Sequence, residues 1–129
     1  MSAVYLNSAV CISAQDTLSE NFFENLQPHL SENVLKAVEP NYKEFIPPAM
    51  IRRMSKTVKM SSVASTKALQ EAKIEKPDAI IVGTGMGCSQ DSEKFLKNVL
   101  DNNEEFLTPT YFIQSTHNTV SGQIALGLQ

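Results

Sequence analysis

A chain of 129 residues with 42% hydrophobic content is large enough for one domain with a core of its own, and no internal repeat or low-complexity stretch divides it. Its formal charge of -3 argues against a nucleic-acid binder held by bulk electrostatics, and no run approaches the ~20 apolar residues of a membrane helix. The N-terminus has no basic leader and its apolar stretch is broken by Asn7 and Ser8, so the reading is a soluble cytoplasmic protein whose Cys11 and Cys88 are free thiols.

Val4, Leu6, Val10 and Ile12 alternate with Tyr5, Asn7, Ala9 and Cys11, which predicts a strand over 3–12. Thr17 and Glu20 have the spacing of a capping box, and Leu18, Phe22 and Leu26 then share one helical face, so a short amphipathic helix is expected. From Gln27 to Pro48 the pattern weakens. Ser31 could cap a turn of helix reaching Val38, Pro40 would stop it, and Pro47-Pro48 enforces an extended entry to the next segment.

A long helix is predicted from Pro48 to about Ala72, since no glycine or proline interrupts it and Ile51, Met54, Val58, Ser65, Leu69 and Ala72 form a stripe. The small or apolar residues Met60-Ser-Ser-Val-Ala-Ser65 suit a helix packed on several faces. Ala79 to Val82 then reads as a strand buried on both faces, followed by a turn at Gly83, Gly85 and Gly87 and a helix capped by Ser89, Asp91 or Ser92 that runs to about Asp101. Strand, glycine turn and helix together predict an α/β protein.

That third helix has Phe95, Leu96, Val99 and Leu100 on its inner face, and Thr108 to Ile113 reads as a short extended segment. Val120, Ile124 and Leu128 recur every four residues in a last helix. Ser121, Gly122 and Ala125 beside them form a small-residue face open to close approach by another helix. The chain ends at Gln129 directly after this apolar run, which reads as truncation of a larger sheet-containing fold.

Several chemistries can be weighed on these residues. The turn Gly83-Thr-Gly-Met-Gly87 has GxGxG spacing and no following strand that ends in an acid at the right distance, so a structural turn is the better reading than a nucleotide cradle. Cys88 ahead of a helix could be an activated thiol, with His117 as base, since His29 lies in the weakly patterned stretch; a buried, inert thiol is the stronger reading. No set of side chains has metal-ligand spacing, and no cofactor is indicated. Arg52, Arg53, Lys56 and Lys59 place four cations in the first turns of the long helix, against its dipole. They are either a solvated face paired with the acids between Asp16 and Glu44 or, less readily, a docking patch for an anionic partner.

In order along the chain, the first strand, the helix beginning near Ile51-Arg-Arg-Met-Ser55, the run Ile80-Ile-Val-Gly-Thr-Gly-Met-Gly87, Pro109-Thr110 and the helix around His117-Asn-Thr-Val-Ser-Gly-Gln-Ile-Ala125 resemble the N-terminal part of β-ketoacyl-acyl-carrier-protein synthases. The likeness covers most of residues 1–129 and is nearest to a divergent branch with a Ser-x-His-Asn element. The resemblance implies the N-terminal portion of a thiolase-like fold, a mixed sheet covered by helices, in a protein that dimerises with itself or with another synthase subunit. It also implies Claisen condensation of an acyl thioester with a malonyl thioester on acyl carrier protein. The family's nucleophilic cysteine and later His or Asn residues fall downstream of the helix that holds Gly122, so no catalytic residue is assigned here. Gly83, Gly85, Gly87, His117, Asn118 and Gly122 are expected to act as scaffold, and Arg52, Arg53, Lys56 and Lys59 to dock the acidic carrier. The alternative is a non-catalytic synthase-like subunit that shapes the acyl pocket of an active partner.

Overall fold

Two residues bracket the longest helix and decide its length. Ser55, extended at ψ 164, accepts the Val58 amide on its hydroxyl and begins α2, Lys56–Ala72; Lys73 closes it in the left-handed region at φ 56, its amide on the carbonyl of Gln70. The structure, a computed structural model, describes residues 3–28 and 33–128. The uninterrupted helix expected from Pro48 is therefore two. A single turn, α1, covers Pro48–Ile51 with Pro48 at its start, and Arg52 to Met54 form a link. No breaker residue marks this link. It exists because a serine hydroxyl competes for a backbone donor and favours a helix start over a helix interior.

Three further helices complete the body: α3 over Ser89–Asp101, α4 over Pro109–Ser115 and α5 over Thr119–Gly127. They pack in two pairs. Along the α2–α5 contact Val58, Val120 and Ile124 form the buried core, with Met54, Ile80, Cys88 and Leu128 partly buried against it. Val120, Ile124 and Leu128 are the every-fourth-residue stripe read from the sequence. On α2 the buried positions are Val58, Ser62 and Val63, while Ser65, Leu69 and Ala72 are half-buried. Among the described residues the Ser62 hydroxyl has no hydrogen-bond partner, which costs about 1–3 kcal/mol for a group removed from water. In the α3–α4 pair, Phe95 meets Phe112 at 5.6 Å between ring centroids with the planes tilted by 58°.

The α3 range agrees with the sequence, but Leu96 and Leu100 on its expected inner face are exposed. At 108–113 a helix stands where an extended segment was expected. Thr108 is extended and Pro109 occupies the first helical position of α4, where a missing N–H costs nothing and the fixed φ is already helical. The local helix start outweighs the β-propensity of Tyr111, Phe112 and Ile113.

The α/β expectation, with its thiolase-like mixed sheet, is overturned: the described residues hold five α-helices and no strand. Residues 3–12 and 79–82 have the composition of strands, yet neither meets a ladder partner, and a strand's donors and acceptors are satisfied only across a ladder. The first segment reaches the helical body through Ser8, whose hydroxyl donates to Glu71 at 2.9 Å, and just past it the Ser13 carbonyl accepts the Val38 amide at 2.8 Å. In the second, Ile80 joins the core while Ile81 is 95% exposed.

The capping box at Thr17 does not form either. Its hydroxyl donates to the Cys11 carbonyl, and the expected helix shrinks to a single 3-10 turn at Phe22–Glu24. A short helix without a packed face is marginal in water, so losing its cap is enough to lose the helix. The readings placed on His29, Ser31 and Gln129 lie outside the described residues.

Candidate functional site

The four cations of the expected docking patch divide into two kinds. Arg52 and Arg53 lie on the exposed link between α1 and α2, and neither guanidinium has an ion-pair partner among the described residues. Because α2 starts only at Lys56, these arginines stand past the end of α1 and outside the first turn of α2, so their conflict with the dipole of the long helix largely disappears. Lys56 and Lys59 remain in that first turn. Each has a compensating group from the preceding segment.

Lys56 Nζ is 2.8 Å from one carboxylate oxygen of Glu39, and the Tyr42 hydroxyl donates to the other at 2.7 Å. The Lys59 ammonium sits 5.0 Å from the centre of the Tyr42 ring. Three residues apart on one helix, the two lysines share a face, and Glu39 and Tyr42 lie across it as a clasp. The Lys56 contact, helped by the Tyr42 hydroxyl, holds the Glu39 carboxyl below its ordinary range. Burial, then the bond to Glu39, pushes the Tyr42 phenol well above its own. The clasp is anchored by Ile46, buried four residues on, whose amide donates to the Tyr42 carbonyl at 2.9 Å.

Sequence reasoning named the acids between Asp16 and Glu44 as partners for this patch without singling out Glu39, and it missed Tyr42. The available signal was the spacing Glu39-Pro-Asn-Tyr42. The 3-10 turn Tyr42–Glu44 begins at the tyrosine, directly after that spacing.

The glycine turn, 83–87, is exposed through Met86 and half-buried at Gly87. Only Gly87 uses the left-handed region, at φ +58, and its amide donates to the Thr84 hydroxyl at 2.9 Å. Cys88 follows directly, partly buried against the α2–α5 core, and it lines an open cleft of about 400 Å³ with Ser55, Lys56, Met60 and Asp91. Burial, with the Asp91 charge second, raises the Cys88 thiol, which opposes a thiolate at neutral pH. His117 does not line this cleft. It is exposed at the corner between α4 and α5, one residue before Asn118, whose side chain makes no capping bond.

Asn118 contributes its carbonyl instead, which accepts from Gly122 N at 3.0 Å and Ser121 Oγ at 3.1 Å. The small face of Ser121, Gly122 and Ala125 borders an open groove of about 460 Å³ opposite residues 76–80. A Cβ on Gly122 would meet nothing within 4 Å. Among the described residues no three acidic, His or Cys side chains gather as metal ligands, and no helix is long and apolar enough to cross a membrane. No protein-family model matches the chain, and comparison with curated proteins finds no similar sequence.

Proposed function

We propose that this chain is part of a β-ketoacyl-synthase-like condensing enzyme and that its own task is to dock an acyl carrier protein. The observation that carries the reading is the pair Arg52 and Arg53: two exposed cations on a short link, with no anion of the described chain committed to them. Charges held this way favour encounter with an acidic surface and cost no internal ion pair when they are used. The collinear motifs from Ile51-Arg-Arg-Met-Ser55 to His117-Asn-Thr-Val-Ser-Gly122 name the partner class. In that reading the whole enzyme joins acyl and malonyl thioesters in fatty-acid or polyketide-type synthesis in the cytoplasm, and the nucleophile comes from elsewhere.

A second reading, a non-catalytic subunit paired with an active synthase, is favoured by one further observation. Apolar side chains such as Val4, Leu6, Ile81 and Phe106 are exposed and available for pairing with the same or a related subunit.

The test of docking is titration of the chain with acyl carrier protein at several salt concentrations. Arg52→Glu with Arg53→Glu is expected to weaken binding at least ~10-fold at low salt and to flatten its salt dependence. Binding unchanged by that double reversal overturns the proposal. A stable heterodimer on co-expression with an active synthase supports the second reading.

A further inference from the structure

We propose that Glu39 and Tyr42 are an internal mask over half of the cationic patch, which an acidic partner displaces when it docks. The inference rests on the docking reading only for the partner's name; the mask itself concerns any acidic chain that reaches α2.

The geometry is that of a substitute ligand. Both oxygens of Glu39 are occupied, one by Lys56 at 2.8 Å and the other by the Tyr42 hydroxyl at 2.7 Å, and the Tyr42 ring covers Lys59 at 5.0 Å. A carboxylate on Lys56 and an aromatic face on Lys59 are the groups that a docking acidic protein would itself offer to those lysines. Among the described residues the arginines next door have neither. The patch is thus divided into two open cations, Arg52 and Arg53, and two occupied ones, Lys56 and Lys59.

The mask is also weakly held on the side where it must open. Lys56 and Glu39 side chains are 47% and 41% exposed, and an ion pair so exposed shifts an equilibrium by no more than about fivefold. Its far end is firm, because Ile46 is 4% exposed and fixes the turn that carries Tyr42. Opening therefore amounts to swinging Glu39 and the Tyr42 ring off α2 about that anchor, with α2 and its core unchanged. The result is a four-cation surface available only to a partner whose carboxylates compete with Glu39.

The experiment measures binding of a short labelled poly-glutamate peptide, and of acyl carrier protein, to the full chain at low ionic strength. Glu39→Gln is expected to bind both about two- to fivefold more tightly than wild type, since the occupied lysines become free. Glu44→Gln removes the same formal charge from the neighbouring turn, where its partner is Asn41 and no lysine is paired, and is expected to leave affinity unchanged. In a Lys56→Met background, Glu39→Gln is expected to give no gain.

A gain that persists without Lys56, or an equal gain from Glu44→Gln, reflects net charge alone and overturns the mask. Equal affinity of Glu39→Gln and wild type, or no binding by either, overturns it as well. Carrier docking fails separately, through an Arg52→Glu, Arg53→Glu variant that binds carrier as wild type does while the peptide still responds to Glu39→Gln.

Discussion

The two apolar stretches at 3–12 and 79–82 are richer in aliphatic residues than the α2–α5 pair, yet it is the helical pair that buries its apolar side chains. In the helical pair Val58 and Val63 are almost completely buried; in the stretches Val4 and Ile81 are almost completely exposed. A helix satisfies its backbone within its own segment, so two helices need only an apolar seam to associate. A strand satisfies half of its backbone through a neighbour, and among the described residues neither stretch has one. The chain exposes 10126 Å², against roughly 6,800 Å² for a compact folded chain of 14.2 kDa, and the exposed apolar side chains of both stretches share that excess with others such as Phe23, Leu100 and Phe106. Apolar segments that do not contribute to the core remain as contact surface.

The sharpest way to break this contrast is a pair of truncations. Ile124→Ala removes a buried side chain from the α2–α5 seam and is expected to cost about 2–4 kcal/mol in urea unfolding. Ile81→Ala removes an equal volume from an exposed position and is expected to change stability by less than about 0.5 kcal/mol. Equal costs would mean that Ile81 is covered in solution, by a second copy or another chain, and a dependence of its cost on protein concentration would identify the former.

A smaller effect sharpens the same contrast inside the glycine turn. Gly87→Ala is expected to cost about 1 kcal/mol, entirely from the left-handed backbone, because a Cβ there meets nothing within 4 Å. Gly85→Ala, with ordinary φ and equally open space, is expected to be neutral or slightly stabilising through its effect on the unfolded chain. The readout is the difference between the two unfolding midpoints.

The smallest effect belongs to the clasp. Lys56 and then Tyr42 hold the Glu39 carboxyl below its ordinary 4.5. A depressed folded-state value contributes stability that is complete above the ordinary value and is lost as pH falls through the lowered one. For so exposed a pair the loss is a few tenths of a kcal/mol. It is measurable as the part of the acid-side decline in stability that Glu39→Gln removes.

Much of the helical body was legible in the sequence because its cues are local. Ser89 to Asp101 and the stripe Val120, Ile124, Leu128 emerge at the positions their spacing indicates. Two errors came from local cues of similar strength that compete. Ser55 divides a helix that has no glycine or proline, and Pro109 begins a helix in a segment rich in β-formers. The expected sheet is missing from the described residues because strand composition does not make a strand without a ladder partner. For the candidate site, the four cations could be named from sequence, but which of them are free could not. That depends on Glu39, 17 residues before Lys56, reaching back across a turn.

Caps, prolines and periodicity act within a few residues, so the local chain sets where helices can start and stop and which of their faces are apolar. Tertiary structure alone decided whether 3–12 and 79–82 find ladder partners, that Ile80 enters the core while Ile81 does not, and that Lys56 and Lys59 are occupied while Arg52 and Arg53 are open. Each of these depends on a neighbour distant in the chain, and the free energy of such a contact is set by the geometry of both partners together.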